Sequence, residues 1–331
     1  MKKFLLDMIS PLSSPVLLVV VAFIIHLCLA KDITGDLGKL GQIVFSSNYH
    51  LQDKFQTNGV DRIAWCDTKD MGNLSILFLG DSFTKGLLYP DYLSKILHQK
   101  SAKYFADNID SPEETFIALC NSGVEMPKVV VLESVERDFP FRLQQLDFSL
   151  NTSLIPSIQN PAAAKQTDFM TFYKNRMINN HSVLHVSLRD DLFTCPQKEK
   201  ELYFYHDDLK FPDEEQIQTA ITKLDTLFQL ANKKQIQLFY VIAADKYDVY
   251  QDFAIDNPYP KKTVLESFSR FESNPFFVNT RPLLYEKAKK GVTDLYYADD
   301  THWSPVGAKI VAEEIARRMD SLGVFQNRGN R

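Results

Sequence analysis

Two stretches of this 331-residue chain are apolar at every position, Val129-Val130-Val131-Leu132 and Leu238-Phe239-Tyr240-Val241-Ile242. A strand with one wet face alternates polar and apolar residues. A strand with no polar position must be covered on both faces, which a chain achieves by laying helices over both sides of a mostly parallel sheet. Strand candidates at 76–79, 129–133, 183–187, 238–243 and 294–297 alternate with helical patterns at 83–99, 113–120, 213–233, 262–272 and 305–322. The third helix follows Pro212, opens with acids and ends among lysines, as the helix dipole favours, and Pro305 suits a helix first turn. The alternation predicts a three-layer α/β/α domain with a mostly parallel sheet. Residues 146–208, with Pro156 and Pro161, are less regular. They read either as an insertion that shapes a substrate groove or as a surface excursion.

The N-terminus has a different character. Lys2 and Lys3 precede an apolar stretch whose densest part, 16–30, holds one polar side chain, His26. With Pro11 and Leu12 included it approaches the length a bilayer requires, and the flanking lysines suit the inner side of a membrane. The expectation is a membrane anchor or uncleaved signal at 1–34, a single transmembrane helix, and one domain at 35–331 outside the membrane. Cys28 lacks the small preceding residue of a lipidation site. Cys66, Cys120 and Cys195 allow either one disulfide with a free thiol or three reduced, buried thiols. No Cys/His spacing suits zinc, so neither metal nor cofactor is expected. A net charge of −5 argues against nucleic acid as a partner.

The chemistry concentrates in two segments. Gly80-Asp81-Ser82 ends the 76–79 run just before a helical pattern. Ser82 there is either a helix cap or a nucleophile at the sheet's carboxyl edge. Asp299-Asp300-Thr301-His302-Trp303 lies 220 residues later. Of the histidines beyond the anchor (His50, His98, His181, His185, His206, His302), His302 alone has a carboxylate close by just after a strand candidate. Asp300, or its rival Asp299, can hold Nδ1 and so leave Nε2 to take the Ser82 proton.

These segments resemble a known family. Gly80-Asp81-Ser82-Phe83 is similar to the first block of the SGNH (GDSL-type) serine hydrolases, and Asp300-Thr301-His302-Trp303 to their last block. With Ser304-Pro305 and Gly307-Ala308 following, it is most like the alginate O-acetyltransferase-like branch of bacterial exopolysaccharide acetylation proteins. Residues 128–137, ending in Glu136-Arg137, and the Asp245-Lys246-Tyr247-Asp248-Val249-Tyr250 segment resemble two further stretches of that branch. The resemblance covers roughly residues 74–320. It implies an acyl-accepting nucleophile at Ser82, a general base at His302 and an orienting carboxylate at Asp300. It also implies an oxyanion donor in the Ser82 N–H, with Gly80, Asp81, Gly123, Glu136 and Arg137 in support. Trp303, Lys246 and Tyr250 become candidates to touch substrate.

One departure stands out. Where typical members carry an asparagine that completes the oxyanion hole, this chain has Glu136, which cannot donate when ionised. Either Arg137 donates in its place, or Glu136 and Arg137 form a structural ion pair beneath the site.

The implied activity is O-acetyl transfer to a polysaccharide hydroxyl outside the bacterial inner membrane, in the periplasm. A multi-spanning membrane acyltransferase would deliver the acyl group. A carbohydrate esterase, deacetylase or lipase-like esterase would use the same triad with water as acceptor. A non-catalytic polysaccharide-binding or scaffold subunit with a relic triad is the alternative from another class.

Overall fold

The structure is a computed structural model and describes residues 35–41, 43–86, 88–105, 109, 111–150 and 183–325. The expected anchor at 1–34 and much of the irregular 146–208 stretch lie outside the described residues. Among the described residues, no helix is long and apolar enough to cross a membrane.

The sheet has five strands: β1 (Ile76–Leu79), β2 (Ser101–Lys103), β3 (Val129–Val135), β6 (Gln237–Ala243) and β7 (Phe277–Asn279). Their order is β2-β1-β3-β6-β7 and every pairing is parallel. All four residues of β1 and all seven of β3 are buried, as two-faced coverage demands. The helices are α1 (Asp36–Gly41), α2 (Ser82–Gly86), α3 (Tyr89–Leu97), α4 (Pro112–Asn121), α5 (Phe139–Gln145), α6 (Glu214–Lys233), α7 (Lys246–Tyr250), α8 (Thr280–Lys289) and α9 (Pro305–Ser321). Helices α3 and α9 pack together, while α6 packs against α4 and α5, so two helical layers enclose the sheet.

Local chemistry sets the helix ends. Asp213 and Gln216 form a reciprocal capping box at the start of α6. Ser304 accepts the Val306 N–H at 3.0 Å and caps α9, with Pro305 in its first turn.

Three expectations change. The 83–99 helix is two helices, α2 and α3, because the chain restarts at Tyr89-Pro90, and Pro90 fits only a first turn. The 294–297 run is a loop with a single bridge from Tyr296 to Trp303, and the short β7 takes the sheet's edge instead. The 183–187 strand, β4 (Val183–Ser187), pairs antiparallel with β5 (Glu201–Tyr205) outside the main sheet. Cys66, Cys120 and Cys195 are free, buried thiols, with burial pushing their pKa values up to about 12, 12 and 11.

Candidate active site

Ser82 opens α2 directly beyond β1, at the sheet's carboxyl edge, and is exposed. Its elbow is built from buried polar bonds. Glu133, wholly buried on β3, accepts from the Asp81 N–H at 3.2 Å, the Thr84 N–H at 3.1 Å and the Thr84 hydroxyl at 2.9 Å. Burial, and then the nearby charge of Asp81, push the Glu133 carboxyl well above the usual range, which favours its neutral form. Asp81 accepts from the Phe83 N–H, the Val135 N–H and the Arg142 guanidinium, the last at 3.0 Å. Gly80 is required here, since a Cβ would collide with Thr84 Oγ1 and Glu133 Oε2.

The candidate carboxylate and base, Asp300 and His302, lie in the 294–304 loop. The loop is pinched by the Tyr297 N–H donating to the His302 carbonyl at 3.2 Å and the Ser304 N–H to the Leu295 carbonyl at 3.0 Å. His302 Nε2 stands 2.8 Å from Ser82 Oγ. Asp300 Oδ1 lies 2.5 Å from His302 Nδ1 and also accepts the His302 N–H at 3.0 Å. Burial disfavours both charges, yet their mutual hydrogen bond and attraction outweigh it. His302 is raised above the usual imidazole value, and Asp300 is held well below the usual carboxylate range. Nδ1 therefore keeps its proton and Nε2 is left to accept one from Ser82.

The rival carboxylate faces elsewhere. Asp299 is fully buried, bonds His50 Nε2 at 2.8 Å and accepts the Gly35 N–H at 2.7 Å. The expected supports and substrate contacts are also redistributed. Gly123, with φ +75°, follows α4 and precedes β3, which puts it at the sheet's amino edge, away from Ser82. Glu136 and Arg137 do not pair with each other among the described residues. Glu136 accepts from the Asp245 N–H at 3.1 Å and from the Thr263 hydroxyl, and Arg137 donates to Asp208 at 3.2 Å and to Asp245. Both residues lie in the turn just after β3, which ends at Val135, and each finds a different partner.

Lys246, Tyr250 and Trp303 are all fully buried and cannot touch a ligand from solvent. The Lys246 ammonium donates to the carbonyls of Tyr297 at 2.8 Å, Ala298 at 2.9 Å and Asp300 at 3.2 Å, and so pins the acid–base loop. Burial lowers its pKa to about 8 against the pull of the nearby acids. Trp303 packs edge-on against Phe83 with ring centroids 4.7 Å apart, which ties the base's neighbour to the nucleophile's.

Sequence reasoning missed Asp36. It lies on α1, and its Oδ1 accepts the Thr301 N–H at 3.0 Å while Oδ2 accepts the Tyr205 hydroxyl at 2.6 Å. Its own N–H donates to Asp300 Oδ2 at 3.3 Å. Burial and the charge of Asp300 push its carboxyl up to about 7. Nothing local in Gly35-Asp36-Leu37-Gly38 signals this role, because Tyr205 is 169 positions away and Asp300 and Thr301 are 264 and 265.

Among the described residues, two groups have side chains close enough to share a cation: Asp36, Asp300 and His302, and buried Glu136, Asp245 and Asp248. Hydrogen bonds already engage the first through Nδ1 and Thr301. In the second, Arg137 donates to Asp245, and Thr263 and the Asp245 N–H donate to Glu136, while the buried Asp248 Oδ1 has no hydrogen-bond partner among the described residues.

A parallel α/β sheet that sets a serine, a histidine and an aspartate in hydrogen-bonded sequence at its carboxyl edge has the architecture of serine-dependent acyl-transfer proteins. Residues 198–331 match the family model described as SGNH hydrolase-like domain, acetyltransferase AlgX. That part of the chain is similar to the SGNH-like, AlgX-type branch, in line with the resemblance. The matched stretch holds Asp300 and His302, and Ser82 precedes it. No curated protein matches the chain.

Proposed function

We propose that the protein is an O-acyltransferase, in particular an O-acetyltransferase, that modifies a polysaccharide hydroxyl outside the cytoplasmic membrane. The observation that carries the reading is the continuous bonding from Ser82 through His302 to Asp300, together with the AlgX-type match. In the first half-reaction Ser82 Oγ attacks the donor's acyl carbonyl as His302 Nε2 takes its proton. The tetrahedral intermediate collapses, the leaving group receives that proton, and the acyl group remains on Ser82. The Ser82 N–H donates to the developing oxyanion. In the second half-reaction His302 removes a proton from the sugar hydroxyl, whose oxygen attacks the acyl-serine and restores the free enzyme.

The lysine-flanked apolar stretch before residue 35 supports membrane attachment, and with it a membrane-embedded partner that hands acyl groups outward. The test is incubation of the purified protein with an activated aryl acetate and a panel of oligosaccharides. Acetylated sugar, lost in Ser82→Ala, supports transfer. Free acetate alone with every acceptor identifies the same site as an esterase.

A further inference from the structure

We infer that Asp36 is a positioning residue of the Ser82–His302–Asp300 site, and that the N-terminal strap at 35–55 is what holds the acid–base loop in its working shape. The inference rests on the catalytic reading above and extends it to residues outside the triad.

The strap grips one loop at successive points. The Gly35 N–H donates to Asp299 Oδ2 at 2.7 Å and the Gly38 N–H to the Asp299 carbonyl at 3.2 Å. Tyr49 donates its hydroxyl proton to Asp294 Oδ1 at 2.8 Å and accepts the Ala298 N–H at 2.8 Å. His50 bonds Asp299, and Lys54 pairs with Asp294. The approach at Gly35 leaves no room for a side chain, since a Cβ would strike the Asp299 carbonyl and Asp300 Cβ.

Asp36 stands at the centre of this contact. It accepts the N–H of Thr301, the residue between Asp300 and His302. Its own N–H donates to Asp300 Oδ2 at 3.3 Å, and Asp36 Oδ2 lies 3.9 Å from His302 Nδ1. With its carboxyl pushed up to about 7, Asp36 is neutral on the acid side. On the alkaline side it places a second negative charge beside the imidazole, which favours the imidazolium. The groups facing Asp36 are Asp300 and His302 from the loop and Tyr205 from β5. Arg137 lies against the Tyr205 ring, and the buried Lys246 ammonium sits on the loop's carbonyls.

The test is the rate at which a fluorophosphonate labels Ser82 in the full chain, followed across pH for wild type, Asp36→Ala and Asp36→Asn, with Ser82→Ala as blank. Asp36→Ala should slow labelling about tenfold or more, because the Thr301 peptide loses its anchor. Asp36→Asn keeps an acceptor for the Thr301 N–H. It should recover most of the rate and move the rising limb of the pH profile to lower pH, since it carries no charge beside His302. Wild-type rates in Asp36→Ala, or equal loss in both variants with an unmoved limb, would overturn the inference. Absence of labelling in wild type would instead sink the catalytic reading on which it rests.

Discussion

Asp300 Oδ1 lies 2.5 Å from His302 Nδ1, whereas Asp299, one position earlier, turns away to His50 Nε2 at 2.8 Å. Two adjacent carboxylates that look equivalent in the sequence thus hold different histidines. Asp300→Asn should lower the acyl-transfer rate by about 10³–10⁴-fold, because the amide favours the wrong imidazole tautomer. Asp299→Asn should instead cost about 1–3 kcal/mol of stability through a poorly satisfied buried site, with a much smaller loss of rate. Steady-state kinetics beside thermal unfolding separate the two, and the reverse ranking would return Asp299 to the triad.

The pH dependence follows from the same pair. His302 must be neutral to take the Ser82 proton, so the rate rises with pH as the imidazole deprotonates. Burial opposes its charge, but the Asp300 hydrogen bond prevails and the folded pKa is raised. The rising limb should therefore lie above the usual imidazole range and move down in Asp300→Asn. The folded state also binds this proton more tightly than the unfolded chain. Its contribution to stability is full below the unfolded pKa and disappears as pH rises through the folded one.

Glu133 provides a test of the nucleophile elbow. Its carboxyl is buried, which favours the neutral form, and Oε2 takes three hydrogen bonds from Asp81 and Thr84. Glu133→Gln preserves the acceptor and the neutral charge and should leave the melting temperature nearly unchanged. Glu133→Ala strands the two amides and the hydroxyl, so it should cost about 1–3 kcal/mol or more and slow acylation. Equal melting temperatures for the two variants would contradict this account of the elbow.

Lys246 provides a test of the base's support. Its ammonium joins three carbonyls of the acid–base loop and has no access to solvent. Lys246→Met should lower both kcat and the melting temperature by leaving those carbonyls without a donor. A rise in KM alone, with stability intact, would return Lys246 to the role of a substrate contact.

The sequence revealed what is encoded locally. Strands β1, β3 and β6 were readable because burial on both faces leaves continuous apolar runs at 76–79, 129–132 and 238–243. Ser82 and His302 were readable because a glycine-bounded elbow and an Asp-Thr-His turn carry their geometry within a few residues. Strand β7 was not, since three residues after Pro275 give no period to follow. The 294–297 run deceived because Leu295 and Tyr296 are buried, yet one bridge to Trp303 is all the pairing it makes. Asp36 was invisible because its place depends on α1 folding back across the molecule. Lys246 and Tyr250 sit where a substrate contact was plausible, and only packing shows that the core encloses them.

The central claim is that Ser82 carries the acyl group between donor and acceptor. The most direct measurement is mass spectrometry of the protein quenched during turnover with an activated acetyl ester and no acceptor. The account predicts one acetyl group on the peptide that contains Ser82, removed when an oligosaccharide acceptor is added and absent in Ser82→Ala. Acetyl transfer that persists in Ser82→Ala, or an acetyl group found on another residue with Ser82 unmodified, would contradict it.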